Sequence, residues 1–176
     1  MAPTQADNFV LPSRNLSAAE KRAAYAEARA AIRAVLGDEQ SEQVKMVTVN
    51  CLLKTYLPYY YWVGFYLVRE PGKLVVGPYQ GTLGCLYIDF GRGVCGAVAA
   101  SGEAKIVRDC HALVQGSEHI ACDPNSRSEI VLPVRRADGT LIGVFDVDST
   151  LEGSFDEVDL EELEGLLGAV FAGEEL

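Results

Sequence analysis

Five cysteines, two histidines and a small set of strand-borne carboxylates are the residues of this chain with the most chemistry to offer. Four of the cysteines (Cys85, Cys95, Cys110, Cys122) and both histidines (His111, His119) fall between Gly81 and Ser128, a stretch that includes GTLGC, FGRGVCG and HIACD. The spacing Cys85-x9-Cys95-x26-Cys122 is neither a CxxC redox pair nor a zinc ribbon. Cys110, His111, His119 and Cys122 are permitted zinc ligands, but their spacing is looser than that of most structural sites. Cys122 stands apart. It lies in a polar segment three residues after His119, and an accessible thiol beside an imidazole is a candidate nucleophile. Asp146 and Asp148, two apart on an expected strand, project from one face, and Glu129 opens the expected partner strand. Such carboxyls are often a solvated rim. Converging, they would suit an amine, a metal or a proton donor of raised pKa.

Those residues need a scaffold, and the rest of the chain reads as one. At 176 residues with 49% hydrophobic content the chain has the size and composition of one globular domain. It is expected to comprise a loose arm over 1–16 and a single domain over 17–176. A formal charge of −10 argues against nucleic-acid or anionic-membrane partners. The lack of a long apolar run argues against a spanning helix, and the N-terminal residues lack signal-peptide character, which points to the cytoplasm. In a reducing compartment the cysteines are expected to be packing, ligands or redox groups.

Ser17 and Glu20 form a capping-box signature before a helix with Tyr25, Ala28, Ile32 and Val35 on one face and Gly37 as its stop. A second helix over about 39–56 carries two apolar stripes, Val44/Val47/Cys51 and Met46/Val49/Leu53, so burial around much of its circumference is expected, with Cys51 as a small buried hydrophobe. Tyr59 to Val68 reads as a strand with Tyr60, Trp62, Gly64 and Tyr66 on one face, leaving a slot at the glycine. Lys73 to Gln80 completes a hairpin. Leu86 to Phe90 and Lys105 to Val107 read as short strands flanking a helix over Gly93 to Ser101. The aperiodic stretch 108–128 is the longest loop. Glu129 to Arg136 and Thr140 to Asp148 form a second hairpin around Asp138-Gly139, with Asp146 and Asp148 beyond Ile142 and Val144 on one face. Ser154 and Glu157 are expected to cap a last helix whose Leu160, Leu163, Leu167 and Val170 face the core. The order α-α-β-β-β-α-β-β-β-α predicts an α+β fold, an antiparallel sheet with helices packed on it.

Several blocks in order resemble the GAF-domain family of free methionine-(R)-sulfoxide reductases: YWVGFY (Tyr61 to Tyr66), GPYQG (Gly77 to Gly81), FGRGVCG (Phe90 to Gly96), HIACD (His119 to Asp123), SEIVLP (Ser128 to Pro133) and GVFDVDS (Gly143 to Ser149). The resemblance covers roughly residues 20–170. It implies a GAF-like sheet of about six antiparallel strands between helices, often in a homodimer. It implies that Cys85, Cys95 and Cys122 are the redox cysteines, Cys122 attacking and Cys85, or failing it Cys95, resolving. Glu129 is then the expected proton donor, and Trp62, Tyr66, Glu129, Asp146 and Asp148 line a pocket for free methionine sulfoxide. No cofactor or metal is implied, and the expected reductant is an external dithiol of the thioredoxin type. Cys110 has no counterpart among the family's redox thiols and stands as a fourth accessible thiol. A sensor of the same fold that holds a ligand without chemistry is the reading from another class.

Overall fold

The structure is a computed structural model that describes residues 13–112 and 123–173. Helix α1 (Ala18–Leu36) opens with the expected capping box: Glu20 N–H donates to Ser17 Oγ, and Glu20 Oε2 accepts from Ser17 N–H. Just before it, Asn15 Nδ2 donates to the Glu152 carbonyl and Leu16 packs on the core. Helix α2 (Glu42–Tyr56) follows, capped by Ser41. Strands β1 (Trp62–Glu70), β2 (Lys73–Gln80) and β3 (Tyr87–Asp89) come next, then helix α3 (Gly93–Ser101). Strands β4 (Lys105–Val107), β5 (Ser128–Arg135) and β6 (Leu141–Ser149) complete the sheet, and helix α4 (Glu157–Leu167) runs into a π-helical turn over Gly168–Ala172.

The element order is the one expected. The six strands form one antiparallel sheet in the order β3-β2-β1-β6-β5-β4, with helices on both faces. On one face α1, α2 and α4 cover a large core built on Phe65, Leu132, Phe145 and Val147. On the other, α3 covers a smaller core holding Trp62, Tyr66, Cys95, Val131 and Val144. The expected site residues that the structure describes lie on this second, thinner side.

A buried polar knot ties α1 to α4. Lys21, 1% exposed, reaches Asp159 at 2.5 Å, Asp156 at 2.9 Å and the Ser154 carbonyl at 2.7 Å. Tyr25 and Tyr59 donate to the other oxygen of Asp159 at 2.9 and 2.5 Å. A buried charge is tolerable only when paired and hydrogen-bonded, and this pair is both.

Several expectations yield to packing. Val44 and Val47 are 45% and 50% exposed and Cys51 is exposed, because α2 has one sheet face to bury against and gives it the Met46/Val49/Leu53 stripe. Val35, expected on the core face of α1, is likewise exposed, and Lys21 takes the buried place one turn earlier in that stripe. Asp156, not Ser154, caps α4, through a box with Asp159; Ser154 is drawn into buried hydroxyl bonds with Ser149 and Asn15. Ile142 turns to the large core, away from Val144, because β6 carries one extra residue between the pairs Arg135↔Leu141 and Val134↔Gly143. Tyr60 also packs in the large core, since β1 begins only at Trp62 and the alternation does not extend back to it.

Candidate active site

The sheet register assembles the site. In an antiparallel pair, residues directly opposite share a face. Trp62 lies opposite Asp148 and Gly64 opposite Asp146, while Glu129 of β5 lies opposite Asp148 from the other side. Three carboxyls from two neighbouring strands therefore converge under α3. With Trp62, Tyr66 and Cys95 they line a cleft of about 530 Å³, its mouth included, which Thr82, Gly84 and Asp123 help to close.

Trp62 is held by stacking and by small neighbours. Its ring lies between those of Tyr66 and Tyr79, with centroids 5.7 and 5.2 Å away and interplanar angles of 16° for both. Its Nε1 donates to the Thr82 carbonyl at 3.0 Å. A Cβ on Gly64 would sit 2.7 Å from the Trp62 ring, so the slot expected at this glycine is filled by the indole itself. A Cβ on Gly81 would approach the same ring to 2.6 Å. Tyr79 belongs to β2 and was not legible as a site residue, because only the register of β2 on β1 brings it beneath the indole.

The electrostatics are those of stacked, dehydrated acids. Burial, followed by the charges of Asp146 and Asp148, pushes the Glu129 carboxyl well above the usual range, and its hydrogen bond to Asp146 favours keeping the proton on Glu129. Asp146 is raised by burial and by Asp148, against hydrogen bonds from Cys95 and Glu129. Asp148 is pushed up to about 7 by burial, opposed by a hydrogen bond from Ser126. Asp146 Oδ1 is buried without a hydrogen-bond partner among the described residues. Such an arrangement keeps one carboxyl as a proton donor at neutral pH and leaves another open to a cation.

The thiols divide by environment. Cys95, on α3, is 5% exposed, and burial followed by the Asp146 charge raises its thiol well above the usual value. Its sulfur and oxygens of Glu129 and Asp146 lie within 4.8 Å of one another, the grouping among the described residues best suited to hold a metal. Cys110 is 1% exposed, so the expected fourth accessible thiol is a packed one, raised by burial. Cys85 is disulfide-bonded, and its backbone hydrogen-bonds the Tyr66 hydroxyl. Cys122 and His119, and with them half of the zinc quartet, lie outside the described residues. Asp123, the residue after Cys122, is described. It accepts from Thr82 Oγ1 at 2.5 Å and from the Tyr61 hydroxyl at 3.0 Å, which ties it to the segment leading to Cys85.

Comparison with known proteins places this site in a family. The GAF domain model matches residues 60–170. The free methionine-R-sulfoxide reductase of Escherichia coli is 38% identical over 81% of this chain and 84% of its own. The chain belongs to the GAF-domain family of the free methionine-R-sulfoxide reductases. A member of that family from Neisseria meningitidis, solved in complex with its substrate, superposes with a TM-score of 0.76 at 38% identity, covering 92% of each chain. GAF domain-containing protein A of Dictyostelium discoideum is 38% identical over 86% of this chain and 93% of its own. The fold matches the family's, and the blocks on β1, α3, β5 and β6 contribute residues to the cleft, while the block on β2 supports Trp62 and HIACD, apart from Asp123, lies outside the described residues.

Proposed function

We propose that this protein reduces free methionine-R-sulfoxide to methionine, with Cys122 as the attacking thiol. The observation that carries the reading is the carboxyl trio beside Trp62, Glu129 and Asp146 buried and Asp148 half-buried, a pocket with one acid kept protonated and one carboxylate oxygen left without a donor among the described residues. In the sulfoxide the sulfur is electrophilic once its oxygen takes a proton. The Cys122 thiolate attacks that sulfur while Glu129 gives its proton to the oxygen; the hydroxyl then passes to the Cys122 sulfur as the S–S and S–O bonds to the substrate sulfur break, so methionine leaves and Cys122 becomes a sulfenic acid. The Cys85 thiol attacks the sulfenic sulfur, a disulfide forms and water departs. An external dithiol of the thioredoxin class returns both thiols by exchange. The disulfide state of Cys85 supports it as the resolving residue over Cys95, which is buried and engaged with Asp146.

The amino group of a free amino acid is the natural partner for Asp146 and Asp148, and Trp62, where it lines the cleft, packs the S-methyl group. A peptide-linked residue has no such ammonium. Selection of the free R epimer is supported by the relatives' names; homodimer formation and a cytoplasmic location belong to the same proposal. The test is turnover with a dithiol, offering free methionine R-sulfoxide, the free S-sulfoxide and a sulfoxide-containing peptide in turn. Methionine formed from the free R epimer alone is the expected result. No turnover of any of the three would leave a ligand-holding sensor instead.

A further inference from the structure

Cys95 has a place in the site that the thiol chemistry above does not use. It comes from α3, Glu129 from β5 and Asp146 from β6, so three separate elements deliver three donors to one point. All three residues are more than nine-tenths buried, at 5%, 7% and 6% exposure, and their donor atoms lie within 4.8 Å of one another. Neither acid forms an ion pair with Lys or Arg among the described residues. Asp146 Oδ1, moreover, is buried without a hydrogen-bond donor there. A substrate ammonium would satisfy that oxygen but has no use for the sulfur.

We propose that Cys95, Glu129 and Asp146 form a binding site for a borderline-soft divalent cation of the zinc class, seated where the amino group of a free amino acid would otherwise lie. Zinc bonds of about 2.3 Å to sulfur and about 2.0–2.2 Å to carboxylate oxygen place tetrahedral ligands roughly 3.3–3.8 Å apart, a modest contraction of the observed grouping. Calcium and magnesium want six or more oxygens, or near-ideal octahedra, and gain nothing from a thiol; a mixed set of one sulfur and two carboxylates selects a softer ion. The metal–sulfur bond forms as the Cys95 thiol proton leaves to solvent, and a fourth position would be left for water. Occupation blocks the pocket, so the ion is an inhibitor held by the free enzyme. The binding site stands on its donor atoms; that the ion displaces an amino group and inhibits rests on the reductase reading.

The test is direct metal binding to the full-length protein. Calorimetric titration with Zn²⁺ is expected to show one saturable ion per chain. Co²⁺ in its place is expected to give a near-ultraviolet thiolate-to-cobalt charge-transfer band. Cys95→Ser should remove that band and weaken zinc by at least about tenfold, and Asp146→Asn should weaken zinc while keeping the band. Cys51→Ser and Cys122→Ser should keep both. A cobalt spectrum of the wild-type protein without thiolate charge transfer overturns the proposal, whether or not Cys95→Ser folds. Zinc affinity indifferent to both Cys95→Ser and Asp146→Asn overturns it equally. A protein that turns over sulfoxide but shows no such band would refute the metal site and leave the reductase standing, and the converse result would do the reverse.

Discussion

Asp148→Asn should stabilise the ligand-free protein at pH 8 and leave it nearly unchanged at pH 4. The folded-state carboxyl is pushed from 3.8 up to about 7 by burial. Below pH 4 it is protonated in both folded and unfolded chains and costs nothing. Between about pH 4 and 7 the unfolded chain ionises first, so it binds fewer protons than the native state and stability falls as pH rises. Above pH 7 both forms are ionised and the penalty is constant. A rise of about three units corresponds to about 4 kcal/mol at 1.36 kcal/mol per unit; because Asp148 is only half-buried by its surface, about 2–3 kcal/mol is expected. The asparagine does not ionise and escapes this loss. At about 2–4 °C per kcal/mol for a chain of this size, the variant should melt some 4–12 °C above wild type at pH 8 and within about 2 °C of it at pH 4. Urea unfolding of both proteins at the two pH values supplies the free energies. An equal difference between the two proteins at pH 4 and pH 8 would refute the idea that Asp148 is ionised against its surroundings.

Three further outcomes follow from the same geometry. Asp146→Ala should raise KM for free methionine sulfoxide by about 10–100-fold, the loss of one charged hydrogen bond, with kcat less affected, whereas Cys122→Ser should abolish turnover; equal losses of kcat would undo that division. Gly64→Ala places a methyl 2.3 Å from Tyr79 Cβ and 2.7 Å from the Trp62 ring, so it should shift tryptophan fluorescence and raise KM; an unchanged spectrum and KM would show that Trp62 is not held as described. Lys21→Ala leaves Asp159 buried without its cation and should cost about 3–5 kcal/mol in urea unfolding, and a loss below about 1 kcal/mol would contradict the pairing.

Much of this was written in local patterns. The capping box at Ser17, the Asp-Gly turn and the alternation of β6 from Val144 onward depend on neighbours a few residues away, and those features form as read. Asp146 and Asp148 shared a face on strand geometry alone, Glu129 was expected to open the strand beside them, and the family resemblance added Trp62 and Tyr66; that Cys95 stands against Glu129 and Asp146 is seen only in the structure. What failed depended on partners far along the chain. Two apolar stripes on α2 do not reveal that only one meets the sheet. The extra residue at Ile142 exists only relative to β5, and Ser154 is drawn from the cap by bonds that include one to Asn15, more than a hundred residues earlier. Tyr79 under Trp62 is likewise a matter of register, which a single sequence does not print.

The pairing of β1 with β6 at the centre of the sheet joins segments that are remote along the chain, with Trp62 opposite Asp148. Closing so long a loop must precede any contact across it, and its entropic toll is met only when the whole sheet zips. The cleft therefore requires β1 and β6 to be paired, and a chain in which they are apart does not contain it. A ligand that recognises both strands recognises completed molecules and, by mass action, draws the population toward them.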